Sequence, residues 1–222
     1  GACATGCDGC ARACPTGAIA LQGSSPLIDT GKCLFCRACV EACPKVAIRF
    51  TAEYRLAAAR REDLVVQAGS PACAQAVHEK ALRLLRRSLK LRQVSAGGCN
   101  ACEADSNVLT TLAWDIGRFG IQFVASPRHA DGLLVTGPVT RNMHLALRKT
   151  YDAVPGPKIV IAVGACAISG GPYLGHDEQH DGAASVVPVD LFIPGCPPHP
   201  LTILDGLLDR KSTRLNSSHR IR

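Results

Sequence analysis

From residue 93 onward, short apolar runs alternate with stretches of helical period. Residues 93–96 read as a short strand ending in Gly97-Gly98-Cys99, and residues 106–119 as a helix. Residues 121–125 and 132–136 read as strands, and 141–151 as the helix that follows. Residues 158–163 form the most apolar strand and 187–193 another. A last helix over 198–208 carries Leu201, Ile203, Leu204, Leu207 and Leu208. Strands alternating with helices imply a parallel sheet with right-handed crossovers. The pattern predicts an α/β domain over 93–208, a flavodoxin-like doubly wound parallel sheet.

Residues 51–92 read as a linker and a helix. Arg60, Arg61, Glu62 and Asp63 precede a strand of at most a few residues around 64–67, and Gly69-Ser70-Pro71 follows. Over 75–91, Val77, Ala81, Leu82, Leu85 and Leu89 share one helix face, with Arg83, Arg86, Arg87 and Lys90 largely on the other. A basic amphipathic helix suits a membrane surface or an acidic partner; a solvated face has the same pattern. No apolar run approaches the roughly 18 to 20 residues of a transmembrane helix.

The cysteines change the picture most. There are 13 in 222 residues, and eight fall within the first 43. Cys33, Cys36, Cys39 and Cys43-Pro44 form C-x2-C-x2-C-x3-C-P. Cys3, Cys7, Cys10 and Cys14-Pro15 repeat it, with one extra residue in the first gap. Three closely spaced thiolates wrap one face of a cubane cluster, and the fourth, before Pro, reaches the other cluster. The expected sets are Cys3, Cys7, Cys10 with Cys43, and Cys33, Cys36, Cys39 with Cys14. A disulfide framework needs no such repeat, and zinc knuckles pair C-x2-C units instead. A segment this short buries little apolar surface, so its clusters are structural as well as redox-active.

Four more cysteines follow predicted strands. Cys99 and Cys102 come after the first, Cys166 after the most apolar and Cys196 after the last. Open α/β sheets bind ligands outside the carboxyl ends of their strands. By spacing alone these four fit a third 4Fe-4S cluster or a zinc ion.

Two resemblances sharpen this reading. Residues 1–50 resemble the bacterial two-cluster ferredoxins, small α+β domains with two 4Fe-4S clusters, and the segment is read as truncated at its amino end. Residues 93–208 resemble the small subunit of membrane-bound nickel–iron hydrogenases of the formate hydrogenlyase kind. That subunit is homologous to the cluster-bearing B subunit of complex I. The resemblance rests on Gly98-Cys99-Asn100-Ala101-Cys102-Glu103, Ser126-Pro127-Arg128-His129-Ala130-Asp131 and Thr136-Gly137-Pro138-Val139-Thr140. It continues in Gly164-Ala165-Cys166, Ser169-Gly170-Gly171, Val187-Pro188-Val189-Asp190 and Ile193-Pro194-Gly195-Cys196-Pro197-Pro198. It implies that Cys99, Cys102, Cys166 and Cys196 ligate a proximal 4Fe-4S cluster, the third on the chain. The complex I protein has two adjacent cysteines at the first position, whereas two residues separate them here, as in the hydrogenases.

The implied function is that of an oxidoreductase subunit with no catalytic metal of its own. It passes electrons between a soluble donor or acceptor, the ferredoxin clusters, the proximal cluster and a nickel–iron site on a large subunit. A complex I-like cluster subunit, in an NADH- or ferredoxin-quinone oxidoreductase, is the alternative. Membrane-embedded subunits are further expected partners, with a cytoplasmic location, peripheral on the inner face of the membrane. Glu103 beside Cys102 is a candidate proton relay or large-subunit contact, or simply a first-turn helix acid. Arg128 and His129 either line an interface near the proximal cluster or are structural. His199 either donates to a cluster sulfur or satisfies a helix start. Asp115 and Asp190 read as helix- and strand-end acids, and Cys73 as a spare thiol. The glycine-rich stretch 164–171 lacks a Gly-Lys-Ser/Thr ending, so it is no phosphate loop.

Charge adds little once this is in place. The formal net charge of +7 would ordinarily point to nucleic acid or a membrane surface. Residues 209–219 resemble a translated sequencing adapter, and 209–222 is set aside as a tag would be. Removing its five basic residues and one acidic residue takes the charge from +7 to +3. Each oxidised cluster with four thiolates carries roughly two negative charges, so three bring the protein to about −3. A nucleic-acid partner is not expected.

Overall fold

The computed structural model describes residue 3 and residues 6–23, 25–67 and 88–212, the last four by backbone alone. The first unit contains helix α1 (Gly9–Ala13), strands β1 (Ile19–Gln22) and β2 (Ser25–Asp29), and helix α2 (Ala38–Glu41). The strands form an antiparallel hairpin with Ile19 opposite Ile28, and the two short helices pack together. Its core is small: Cys10, Ile19 and Ile48 are buried, with Ile28, Val40, Cys14 and Cys39 packed around them. Strand β3 (Val65–Val66) adds to this sheet through Ile28 and Asp29. The stretch expected to be a linker therefore completes the first unit's sheet.

The second unit has strands β4 (Leu89–Ser95), β5 (Ile121–Phe123), β6 (Gly132–Thr136), β7 (Ile159–Val163) and β8 (Leu191–Ile193). Its helices are α3 (Ala101–Val108), α4 (Arg141–Ala153), α5 (Ala165–Ser169) and α6 (Pro200–Ser212). The strands are parallel, in the order β5-β4-β6-β7-β8. This is the flavodoxin-like order, with its switch point between β4 and β6. Strands β6 and β7 are buried along their whole length, as expected of a sheet covered on both faces. Alternate residues divide between two cores. Leu133, Val135, Val160, Ala162 and Phe192 pack with Leu147 of α4 and Ile168 of α5. Leu134, Ile159, Ile161, Val163, Leu191 and Ile193 pack with Ile203, Leu204 and Leu207 of α6.

Several boundaries differ from the sequence reading, each for a local reason. The first strand begins at Leu89, not at residue 93, because Leu89 and Leu91 pair with Ile121 and Phe123 and enter the core. The helix predicted over 75–91 thus loses its last turn to β4, and residues 75–87 lie outside the described residues. The helix predicted over 106–119 lies instead at Ala101–Val108, followed by a 3-10 turn at Ile116–Phe119. Thr110 and Thr111 donate their hydroxyls to the carbonyls of Asn107 and Val108, both at 2.7 Å, competing with helical pairing. Leu112, which that helix would have carried, is 96% exposed. Strand β8 starts at Leu191 because Val186 and Val187 both bond back to the Ala183 carbonyl in a turn. The α6 backbone stays helical through Ser212, past the boundary at Leu208 drawn from the sequence.

The two units share a seam. Ala58 exchanges both backbone hydrogen bonds with Phe192 at the edge of the parallel sheet, at 2.9 and 2.8 Å. Ala57 and Ala58 are buried, each against one of the two α/β cores.

Helix α4 offers a clean test of this packing. Leu147→Ala is expected to destabilise the protein by about 2–5 kcal/mol, whereas the exposed Leu145→Ala should change stability by less than about 0.5 kcal/mol. Anaerobic thermal unfolding followed by circular dichroism measures both.

Candidate functional site

In the first unit the sequence repeat becomes a structural one. Each Cys-Pro step ends a short helix, and the thiol folds back to meet a backbone amide four residues on. Ala18 N–H donates to Cys14 Sγ at 3.2 Å, and Ala47 N–H donates to Cys43 Sγ at 3.3 Å. Phe35 N–H donates to Cys33 Sγ at 3.3 Å. Such donors stabilise thiolates, and Cys43 is held below the usual thiol range chiefly by the Ala47 amide. The thiols meet across the repeat. Cys10 is raised by burial and also feels Cys3 and Cys43. Cys33 is pushed up to about 11 by burial first, with Cys39, Cys14 and Cys36 adding to it. Thr16, two residues past Cys14, donates its hydroxyl to the Lys32 carbonyl at 2.8 Å and so ties Cys14 to the turn before Cys33.

In the second unit four thiols converge on the carboxyl ends of the parallel strands. Asn100, in a left-handed conformation with φ 70°, turns the chain from the loop of Cys99 into α3, whose first turn carries Cys102. Gly164 ends β7 with φ 90°, and a β-carbon there would stand 2.5 Å from Cys102 Sγ. Glycine is required so that the backbone before Cys166 can approach that sulfur. Burial, then Cys166, Glu103, Cys196 and Cys99, push the Cys102 thiol up to about 12. Cys166 is pushed up to about 11 by burial and then by Cys196 and Cys99. Among the described residues, no three His, Cys, Asp or Glu side chains gather closely enough to hold a single metal ion. Thiols gathered in this way, with Cys102 and Cys166 partly buried and raised by their neighbours as well as by burial, suit a cationic body that several thiolates share; an iron–sulfur cluster has that chemistry.

The two units bring their thiols together. Cys196 is raised first by burial, then by Cys99 and by Cys36 of the first unit. A cavity of about 900 Å³ runs along this seam, lined by Cys14, Cys33, Cys36 and Cys39 on one side and by Pro197 and His199 on the other.

The other predicted residues divide. Glu103 is buried, 6% exposed, and its Oε1 accepts from Ser95 Oγ at 2.5 Å and Thr136 Oγ1 at 2.7 Å. Its carboxylate therefore points into the chain beneath Cys102. His199 takes the helix-start role: Leu201 N–H donates to its Nδ1 at 3.1 Å, and its ring stands edge-on to Trp114. Asp190 acts as a strand-end acid, accepting from Val160 N–H at 2.8 Å. Asp115, with φ 41°, opens the 3-10 turn before β5. Arg128 and His129 are exposed at the opposite end of the sheet from the thiols. Their loop is anchored by Asp131, which bonds to Lys90 near the amino end of β4. Neither therefore lies beside the third thiol set. Cys73 lies outside the described residues. Residues 165–169 of the glycine-rich stretch form the short helix α5.

The sequence reading missed the seam: Gly31, Ala57, Ala58, Ser169 and Thr16. The one signal was an apolar run at residues 56–59 inside an otherwise charged stretch.

Comparison with known proteins finds relatives for both units. Residues 99–209 match the family of the NADH ubiquinone oxidoreductase 20 Kd subunit, and residues 1–76 match a 4Fe-4S dicluster domain. The chain is 41% identical over 126 residues to the probable membrane-bound hydrogenase subunit mbhJ of Pyrococcus furiosus, covering 57% of this chain and 75% of that one. It is 44% identical over 115 residues to the B subunit of the NADH-quinone oxidoreductase of Clostridium beijerinckii, covering 51% and 68%. Among solved structures it is similar to a chain of the membrane-bound sulfane sulfur reductase, an archaeal respiratory membrane complex. That match has a TM-score of 0.50 and 31% identity, and covers 59% of this chain and 75% of that one.

The Glu103 pocket makes a prediction. Glu103→Gln keeps an acceptor oxygen for the Ser95 and Thr136 hydroxyls and should fold normally. Glu103→Leu leaves the Thr136 hydroxyl without this acceptor and should lose about 1–3 kcal/mol of stability, read as a lower thermal midpoint.

Proposed function

The chain belongs to the NADH ubiquinone oxidoreductase 20 Kd subunit family, and on that premise we propose that it is the iron–sulfur electron-transfer small subunit of a hydrogenase complex. It is a subunit of an oxidoreductase and an iron–sulfur protein, like its relatives in hydrogenase and complex I-like assemblies. The observation that carries the electron-transfer reading is the shared cavity at the seam, lined by Cys14, Cys33, Cys36 and Cys39 of the first unit and by Gly195 and Pro197 on either side of Cys196 in the second, with Cys36 close enough to help raise Cys196.

Three 4Fe-4S clusters are assigned to the twelve cysteines. Cys3, Cys7, Cys10 and Cys43 hold the first, Cys14, Cys33, Cys36 and Cys39 the second, and Cys99, Cys102, Cys166 and Cys196 the third. Bound there, such clusters take up and release single electrons at potentials set by their surroundings. The chain's own residues supply those surroundings. The Ala18, Ala47 and Phe35 amides donate to sulfurs and so favour the thiolate form. Burial around Cys33, Cys102 and Cys166 shields those three thiols, one in the second set and two in the third, whereas Cys36, Cys99 and Cys196 are exposed. Glu103 sits as an inward carboxylate beside the third set, held by the Ser95 and Thr136 hydroxyls.

Electrons pass between a soluble donor or acceptor at the first set and a nickel–iron site on a large subunit next to the third. Membrane-embedded subunits complete the assembly, which keeps this chain peripheral on the inner face of the membrane. No helix among the described residues is long and apolar enough to cross a membrane. Cys99 and Cys102, separated by two residues across the Asn100 turn, favour the hydrogenase reading. Similarity to the NADH-quinone oxidoreductase protein supports the complex I-like alternative.

Iron analysis and electron paramagnetic resonance of the anaerobically reconstituted chain test the assignment. About twelve irons per chain are expected, and about eight would remove the third cluster. Cys102→Ser should lower the count by about four and spare the signals of the ferredoxin unit. A companion large subunit lacking its two nickel-binding cysteine pairs would overturn the hydrogenase reading.

A further inference from the structure

One contact at the seam joins the second thiol set to the third by a short route. Gly31 lies two residues before Cys33, in a turn where Lys32 and Cys33 both bond back to the Asp29 carbonyl at 3.1 Å. Ser169 lies three residues after Cys166, at the end of α5. The Ser169 hydroxyl is buried and lies 3.0 Å from the Gly31 carbonyl and 3.1 Å from that of Ala165, sharing its one proton between them. The turn and the helix that carry the two ligands are therefore pinned directly to each other.

The surroundings leave no slack. A β-carbon on Gly31 would stand 2.9 Å from Ile168 Cγ2, 2.9 Å from Leu64 Cδ1 and 3.0 Å from Arg61 Cζ. None of these neighbours is free to give way. Ile168 and Leu64 belong to the α/β core. Arg61 is held by Asp29 through two bonds of 2.8 and 2.6 Å, and Asp29 Oδ1 also accepts from Gly31 N–H at 3.0 Å. Thr30 bonds the Leu64 carbonyl through both its N–H and its hydroxyl, at 2.9 and 2.8 Å.

We propose that the Gly31–Ser169 contact is the spacer that sets the distance between the groups held at the second and third thiol sets. Gly31 and Ser169 are then positioning residues for the transfer between the two units. This inference rests on the electron-transfer reading above. The step it governs is simple: one electron leaves the site of Cys14, Cys33, Cys36 and Cys39 and arrives at that of Cys99, Cys102, Cys166 and Cys196. No bond forms or breaks, and no proton need move. Electron tunnelling falls steeply with distance, so a side chain that wedges the seam open slows the step and leaves each site intact.

The test uses the full reconstituted chain and two variants, Gly31→Val and Ser169→Ala. In the fully reduced native chain, magnetic coupling between the second and third sites is expected to split their paramagnetic resonance signals. Gly31→Val should keep its iron content and each site's own signal, lose the splitting, and slow inter-site transfer at least tenfold. Ser169→Ala removes only the hydroxyl, adds no bulk, and should weaken the splitting at full iron content; it decides the matter if Gly31→Val fails to load iron. Retained splitting in a fully loaded variant overturns the spacer and leaves the wiring reading standing. A native chain with full iron and no splitting overturns the wiring reading, and the spacer with it.

Discussion

Thiols that are buried beside one another resist ionising, and the fold is arranged around that cost. Burial and neighbouring thiols raise Cys33, Cys102 and Cys166 well above the ordinary thiol range. Such groups become good ligands only when a cationic body offsets their mutual repulsion. Each set is also assembled from distant parts of the chain: Cys14 with the turn before Cys39, Cys102 with Cys166 and Cys196. Ligation by these sets would therefore cross-link elements as well as serve electron transfer. The dependence is heaviest in the first unit, whose core among the described residues is the small cluster of Cys10, Ile19 and Ile48, and lighter in the second, where the sheet is covered on both faces.

What the sequence makes legible follows from this division. Thiol spacing is a chemical signature, so all twelve candidate cysteines could be grouped from their places along the chain; in the structure Cys10 feels Cys3 and Cys43, Cys33 feels Cys39, Cys14 and Cys36, and Cys102 feels Cys166, Cys196 and Cys99. Strands β6 and β7 were readable because both faces of each are buried, which forces a continuous apolar run. The amino half of β4 was not. Leu89 and Leu91, with Lys90 between them, fit a helix face extended from residue 77 as well as a strand, and only pairing with β5 decides. The 106–119 helix was misplaced because apolar spacing ignores the hydroxyls of Thr110 and Thr111, which take the carbonyls a helix would use.

The seam was invisible for another reason. Gly31, Ala57 and Ala58 act by being small, and smallness leaves no pattern of period or charge. Arg128 and His129 mislead in the opposite way: their residue types invite a functional role, yet the loop that carries them runs back to the amino end of the sheet. Proximity in a motif did not survive the crossover. Glu103 did keep its place beside Cys102, but with its carboxylate turned inward onto Ser95 and Thr136.

Carrying the ferredoxin unit on the same chain changes the physics of electron entry. Two separate proteins would have to meet, and their encounter would be steered by charge and screened by salt. Here the meeting is intramolecular, and its effective concentration is set by the connection rather than by the cell. The contacts that hold it are neutral: the Ala58–Phe192 backbone pair, the Ser169–Gly31 hydrogen bond, and the apolar packing of Leu64 and Ile168. The shortest ion pair nearby, Arg61 with Asp29 at 2.6 Å, joins two segments of the first unit's own sheet region. A neutral seam gives no means of choosing among charged partners. Under this wiring, discrimination between external donors or acceptors falls to the surface around Cys3, Cys7, Cys10 and Cys43, the set proposed to exchange electrons with them.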